Sequence, residues 1–155
     1  MKRLLSALTA VVMIMSLVIP GAYAQEKGST DDLSALGIDT SHGVGVGDIV
    51  IRDPFVLVSG GIYYMYGTGA STAAGYGCYV SLDLETWYGP VNVFEAKEGF
   101  DGVNCFWAPE CHYYNGKYYL LASYGSASTG HRGTSVFRSS SPVSYTHLRA
   151  HETEA

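Results

Sequence analysis

Two stretches of the chain, residues 53–66 (DPFVLVSGGIYYMY) and residues 108–121 (APECHYYNGKYYLL), repeat one pattern without a gap. The offset between them is constant along both stretches. The residues that agree are Pro54 and Pro109, Gly61 and Gly116, Tyr63 and Tyr118, and Tyr64 and Tyr119. The repeat differs at its first position, where Asp53 opens the first stretch and Ala108 opens the second. A repeat of this length predicts two copies of one supersecondary unit.

The segments in and around the repeat are short, rich in Tyr and Val, and bounded by Gly, Asn and Ser. Such segments predict antiparallel strands, and Asn115-Gly116 predicts a two-residue hairpin turn. Four strands recurring at this constant offset predict an all-β fold of propeller type, in which each blade packs against its neighbours. Residues 48–142 provide about two blades, and the polar residues 25–47 are predicted to be a linker or a loosely docked strap. The alternative is a β-sandwich with similar hairpins.

Residues 1–24 have the pattern of a secretory signal peptide. Lys2 and Arg3 precede an apolar run over residues 4–19, and the small-residue site Ala22-Tyr23-Ala24 follows. A membrane anchor is the alternative, but a spanning helix needs about 20 apolar residues and this run is shorter. We therefore expect cleavage before Gln25, a secreted or periplasmic protein, and no membrane association after cleavage.

The C-terminal tail, residues 143–155 (VSYTHLRAHETEA), differs in character from the chain before it. Its back-translation reads as a transposon-type sequencing adapter, so we interpret it as a cloning or sequencing scar. We expect this tail to be irregular or arbitrarily packed and to bury little apolar surface. His147 and His151 are one helical turn apart in sequence, but within a scar this spacing does not indicate a metal site.

Charge and cysteine content exclude several classes of function. The chain has 14 acidic and 9 basic residues, a net charge of −5, which argues against nucleic acid or anionic membrane as a partner. The three cysteines, Cys78, Cys105 and Cys111, lack the paired spacing of a zinc site. Small buried hydrophobic residues are the favoured interpretation of these cysteines.

Three motifs occurring in order, IRDPFVLVSGGIYYMYGTG, SLDLETW and FWAPECHYYNGKYYLLAS, resemble the opening blades of glycoside hydrolase family 43. The resemblance covers residues 48–142. It implies a five-bladed β-propeller, of which this chain contains about the first two blades. It also implies a secreted glycosidase that acts on arabinofuranosyl or xylosyl linkages in hemicellulose or pectin, with a polysaccharide or oligosaccharide as its partner.

The resemblance makes Asp53 the general base, since the family carries it on the Asp that precedes Pro in the first blade. A carboxylate at the head of an innermost strand would point into the axial cavity, and Pro54 is expected to hold Asp53 in extended geometry. Ala108 occupies the matching place because only one blade needs to supply the base. Hydrolysis with inversion also requires a general acid, which the resemblance places in later blades, so this chain alone is expected to be inactive.

Two further residues are predicted to contact substrate. Trp107 resembles the aromatic residue of the pocket wall, and its ring could pack on a sugar face. The alternative for Trp107 is a core residue between blades, which is the role we expect for Trp87. Glu110 resembles a pocket-lining residue and is not expected to be the acid. No cofactor is predicted; an ion on the propeller axis would be held by residues of later blades.

Two other functions remain open from the sequence. A carbohydrate-binding propeller without hydrolytic activity would have the same scaffold, although Asp53 argues against it. A retaining fructosidase of the same clan would use Asp53 as the nucleophile. That group usually has Asn before the Asp-Pro pair, whereas this chain has Arg52, so an inverting glycosidase is the favoured interpretation.

Overall fold

The computed structural model describes residues 26–147; residues 1–25, which include the predicted signal peptide, and residues 148–155 lie outside them. Within this range, helix α1 (Thr30–Ala35) precedes the strands, and a 3₁₀ turn (Val46–Asp48) separates the first two. The strands are β1 (Val44–Gly45), β2 (Arg52–Ser59), β3 (Ile62–Thr68), β4 (Gly75–Ser81), β5 (Thr86–Glu95), β6 (Gly102–Tyr114), β7 (Lys117–Ser126), β8 (Arg132–Ser141) and β9 (Ser144–His147).

These strands form two antiparallel sheets that correspond to two propeller blades. Blade one has the strand order β1-β5-β4-β3-β2, and blade two has the order β6-β7-β8-β9. Strand β2, the innermost of blade one, contacts β6, the innermost of blade two. The predicted all-β fold of propeller type is confirmed.

The first hairpin of each blade has a two-residue turn, which the sequence predicts at Asn115-Gly116. Gly60 and Gly61 have φ of 58° and 72°, and Asn115 and Gly116, their equivalents in blade two, have φ of 46° and 76°. Two successive positive φ values are the requirement of a type I′ turn, which matches the twist of the flanking strands. Glycine and asparagine adopt these values with little steric cost.

Aromatic side chains fill the interface between the blades. The Phe137 ring of β8 lies 4.3 Å from the Phe94 ring of β5, and the Tyr76 ring of β4 lies 5.5 Å from both Phe106 and Phe137. The Tyr76 hydroxyl donates a hydrogen bond of 2.9 Å to the Ser123 carbonyl across the interface. Each fully buried large apolar side chain stabilises the fold by about 1.5–3 kcal/mol, so this packing fixes the two blades relative to each other.

The segment predicted to be a linker or a loosely docked strap is docked on the blades, and it contains a short helix that the sequence did not predict. Ser29 caps α1 by accepting a hydrogen bond from the Asp32 backbone N–H, and the Asp32 carboxylate accepts one from the Ser29 backbone in return. This reciprocal cap satisfies two backbone donors at the helix start. Leu33 and Ile38, which are 0% and 5% exposed, anchor the segment in the core.

The expectation of an irregular tail is wrong for residues 143–147. Strand β9 lies within them and extends blade two by pairing with β8. Val143 and Tyr145 are buried while Ser144 and Thr146 are exposed, because alternate residues of a strand face opposite sides. The Tyr145 hydroxyl lies 2.8 Å from Cys111 Sγ. The interpretation of this segment as a scar stays a prediction, and residues 148–155 lie outside the described residues.

Candidate active site

Asp53 lies near the start of β2, where the strand bulges. The pairing of β2 with β3 is interrupted between Arg52 and Phe55, and Asp53 has φ of 52°. The expectation that Pro54 holds Asp53 in extended geometry is therefore wrong. A β-bulge adds one residue to a strand and redirects its side chain, and the left-handed conformation is tolerated by Asp better than by most residues. Asp53 is exposed.

Thr68, the last residue of β3, connects Asp53 to blade two. Its hydroxyl donates a hydrogen bond of 3.0 Å to Asp53 Oδ2 and accepts one of 2.8 Å from the backbone N–H of Ala108. Since Trp107 directly precedes Ala108, the predicted base and the predicted aromatic contact lie at the same junction between the blades. Thr68 is buried, with 8% of its surface exposed.

The backbone around Ala108 repeats the backbone around Asp53. Ala108 has φ of 45°, and the pairing of β6 with β7 is interrupted between Trp107 and Glu110. The bulge thus recurs at the same offset as the sequence repeat. Alanine has no side-chain hydrogen bond that favours this conformation, so the bulge is a property of the repeat rather than of the carboxylate.

Trp107 presents an accessible indole ring at this junction. It is 38% exposed, and the guanidinium of Arg132, at the start of β8, lies 3.8 Å from the centre of the ring. A cation at this distance over an aromatic face is attracted by the ring's negative face. Trp87 differs, since it is only 2% exposed and its indole N–H donates to the Leu84 carbonyl.

Glu110 lies just beyond Ala108 on β6, and its carboxylate contacts His112 rather than Thr68. Its carboxylate is 3.4 Å from Nε2 of His112, and both side chains are about half exposed. The His112 ring packs at 5.0 Å from the Phe55 ring of β2. The contacts of Glu110 thus connect it to the exposed face of β6 rather than to the hydrogen bonds around Thr68. Its role in substrate binding stays a prediction.

Two residues at this junction, Thr68 and Arg132, were missed by the sequence analysis. A signal for Thr68 existed, because the constant offset of the repeat places Ser123 at its equivalent, so both blades carry a hydroxyl there. The cross-strand pairs are equivalent as well: Thr68 faces Arg52, and Ser123 faces Trp107. Arg132 had no comparable signal, because it follows a loop outside the aligned repeat.

The cysteines behave as small core residues in two of three cases. All three are free thiols; Cys78 and Cys111 are buried, and Cys105 is partly exposed. Burial raises the pKa of the Cys78 and Cys111 thiols above the usual range, because the thiolate loses its hydration. Among residues 26–147, no three His, Cys, Asp or Glu side chains are grouped so as to hold a metal ion.

Comparison with known proteins identifies the family. The sequence model of Glycosyl hydrolases family 43 matches residues 46–147, well over half of the chain. The chain belongs to glycoside hydrolase family 43. The match includes strands β2 to β9, so the family 43 resemblance of the motifs is confirmed.

Three relatives show how much of a family 43 protein the chain represents. It is 30% identical over 92 residues to extracellular endo-alpha-(1->5)-L-arabinanase 1 of Bacillus subtilis, covering 53% of this chain and 28% of that protein. The endo-arabinase structure from Bacteroides thetaiotaomicron matches with TM-score 0.63 and 36% identity, over 70% of this chain and 38% of that one. An endo-1,4-beta-xylanase structure from the same organism matches with TM-score 0.54 and 31% identity, over 64% of this chain and 33% of that one.

The chain therefore spans about a third of the length of these family 43 relatives. Within the described part of the chain, no helix has the length and apolar character needed to cross a membrane.

Proposed function

We propose that the complete protein containing this chain is a secreted glycosidase that hydrolyses arabinofuranosyl linkages of plant polysaccharides with inversion. The observation that carries the proposal is the environment of Asp53: an exposed carboxylate, at the junction of two blades, with one oxygen anchored by a buried hydroxyl. Family 43 membership supports hydrolysis of a carbohydrate. The arabinanase names of two relatives, at 30% and 36% identity, favour arabinofuranosyl substrates.

In this proposal Asp53 is the general base. Its Oδ2 accepts the hydrogen bond from Thr68, and we assign Oδ1 to the attacking water. The carboxylate takes a proton from that water as the oxygen attacks the anomeric carbon, and a separate general acid protonates the departing oxygen. We assign the acid to a later blade, about 6.5–9.5 Å from Asp53, which is the separation that leaves room for water in inverting glycosidases.

The remaining assignments follow from the same proposal. Trp107 and Glu110 contribute to sugar binding, with the exposed indole face of Trp107 packing on a sugar ring. Secretion is supported by the signal-peptide pattern of residues 1–24 and by the extracellular relative. No cofactor takes part in this scheme. A second candidate substrate is a xylosyl linkage, since one relative at 31% identity is named an endo-1,4-beta-xylanase.

The test is the complete protein with Asp53→Asn. The amide keeps the shape of the carboxylate but accepts no proton, so turnover of linear arabinan and of an aryl arabinofuranoside should fall by about 10² to 10⁴. Affinity for arabino-oligosaccharides, measured by calorimetry, should stay within a few-fold of wild type. Asp48→Asn is the matched control, because Asp48 is an exposed Asp in the adjacent 3₁₀ turn; it should leave turnover unchanged.

Several outcomes would contradict the proposal. Wild-type turnover by Asp53→Asn would exclude Asp53 as the base. Oligosaccharide binding without hydrolysis by the wild-type protein would indicate a carbohydrate-binding propeller. The stereochemistry of the first product, followed by proton NMR, should show an inverted anomeric centre; retention would indicate a double-displacement mechanism with Asp53 as nucleophile.

A further inference from the structure

The Thr68 hydroxyl has a defined orientation because of its two partners. A hydroxyl has one hydrogen to donate and lone pairs with which to accept. The Ala108 N–H can only donate, so it occupies a lone pair of the Thr68 oxygen at 2.8 Å. The single hydroxyl hydrogen is then directed to Asp53 Oδ2 at 3.0 Å. The result is a chain of two hydrogen bonds from the backbone of blade two to the carboxylate of blade one.

The location of Thr68 restricts the movement of these two hydrogen bonds. The residue is 8% exposed, so water competes little for either hydrogen bond. A β-branched side chain has few χ1 rotamers, which limits the movement of the hydroxyl. Asp53 is exposed and lies on a bulge, and its own strand therefore restricts the carboxylate less than a regular buried strand would.

Blade two provides the comparison within the same molecule. Ser123 occupies the position equivalent to Thr68, is only partly buried, and its hydroxyl lies 3.4 Å from the Trp107 carbonyl. At this length the hydrogen bond is weak. Ala108, at the position equivalent to Asp53, has no carboxylate to which the Ser123 hydroxyl could donate. The stronger and more buried arrangement thus occurs only in the blade that carries the predicted base.

We propose that Thr68 is a positioning residue that holds the carboxylate of Asp53 in the orientation required for attack by water, and that blade two fixes Thr68 through the Ala108 N–H. The inference rests on the proposed function, in which Asp53 is the general base. Thr68 keeps its proton throughout: the proton of the attacking water ends on Asp53. A displacement of a catalytic group by about 1 Å can cost about 10²-fold in rate, which is why a single positioning hydrogen bond can matter.

The experiment compares Thr68→Val, Thr68→Ser and Ser123→Ala in the complete protein. Valine keeps the shape of threonine but removes both hydrogen bonds. We expect kcat to fall by about 10- to 100-fold, as for the loss of a hydrogen bond to a charged group, while KM and oligosaccharide affinity stay within about twofold. Serine restores the hydroxyl and should recover kcat to within a few-fold. Ser123→Ala is the matched control in blade two and should have wild-type kcat.

Folding is checked separately, because valine leaves the Ala108 N–H without a partner. Thr68→Ala leaves space for a water to bind that N–H, so it serves as the second variant, and the Tm and oligosaccharide affinity of each variant report on folding. A kcat loss in Thr68→Ala with unchanged affinity supports positioning. A kcat within twofold of wild type in a folded Thr68→Val or Thr68→Ala protein would overturn it, as would a loss in Thr68→Ser equal to that in Thr68→Val.

Asp53→Asn, measured in parallel, separates the two proposals. If Asp53→Asn is inactive and the folded Thr68 variants have wild-type kcat, only the positioning role fails. If Asp53→Asn keeps wild-type turnover, the general-base assignment fails, and the positioning role fails with it.

Discussion

Blade one and blade two have the same backbone at Asp53 and Ala108, but only one of them carries a carboxylate. Both residues have positive φ, 52° and 45°, and both lie in a bulge that interrupts the pairing of the innermost strand. An alanine in the left-handed region costs roughly 1–2 kcal/mol with no side-chain hydrogen bond to offset it. The comparison shows that the scaffold provides the bulge in both blades and that a single side chain distinguishes the predicted catalytic one.

The blades also differ at the far end of their first hairpins. The turn at Gly60 and Gly61 in blade one is covered by the N-terminal segment, where the Gly28 N–H donates to the Gly61 carbonyl at 3.2 Å. The equivalent turn at Asn115 and Gly116 has open space around Gly116. The two turns therefore have the same conformation but different surroundings. A side chain added at Gly116 has only the energetic cost of the backbone conformation, whereas one added at Gly61 also has the cost of overlapping its neighbours.

The largest expected effect comes from exchanging the side chains of the two blades. In the complete protein, Asp53→Ala should reduce turnover of arabinan by about 10² to 10⁴. The double variant Asp53→Ala with Ala108→Asp should not recover it, because a carboxylate on β6 starts from a different strand and therefore occupies a different place at the junction. Kinetics of both variants and of Ala108→Asp alone check this expectation.

The single variant Ala108→Asp is the control for folding, since aspartate tolerates the left-handed conformation at this position. Its Tm should be close to that of wild type. Recovery of turnover in the double variant to within tenfold of wild type would mean that the site accepts a base from either blade. The position of the carboxylate on blade one would then not be required for catalysis.

A smaller effect is expected from a matched pair of turn variants, Gly61→Ala and Gly116→Ala. The two glycines have φ of 72° and 76°, a conformation that costs alanine about 1–2 kcal/mol. A Cβ on Gly116 would meet nothing within 4 Å, whereas a Cβ on Gly61 would overlap the Glu26 carbonyl oxygen. Adding an overpacking cost of about 1–3 kcal/mol, Gly61→Ala should lose about 2–5 kcal/mol of the free energy of unfolding, measured by denaturant titration. Equal losses in the two variants would show that residues 26–28 move aside at no cost.

The sequence predicted the features that depend on local chemistry and on repetition. The turn at Asn115 and Gly116 was predictable because two-residue hairpins require residues that adopt positive φ. The propeller architecture was predictable because an ungapped repeat implies two copies of one unit. The burial of Cys78 and Cys111 was expected for free cysteines without metal-site spacing.

The sequence did not predict the features that depend on contacts between distant segments. The residue before a proline normally prefers extended geometry, so the bulge at Asp53 could not be read from Asp53 and Pro54. Thr68 contributes through partners 15 and 40 residues away. The sequence predicts an irregular tail, but Ser144–His147 pairs with the edge of β8, and buried Val143 and Tyr145 alternate with exposed Ser144 and Thr146.

The smallest expected effect distinguishes the tryptophans of the two blades, Trp87 and Trp107. Trp87 is 2% exposed and hydrogen-bonded, while Trp107 is 38% exposed beneath Arg132. If a sugar packs on Trp107, Trp107→Phe should reduce oligosaccharide affinity by about 2- to 10-fold and diminish the ligand-dependent change in fluorescence. Trp87→Phe should leave both unchanged but lower the Tm, because it removes buried contacts. A ligand-dependent signal that survives in Trp107→Phe and disappears in Trp87→Phe would place the sugar away from the junction of the blades, and the exposed ring of Trp107 would then be part of the scaffold only.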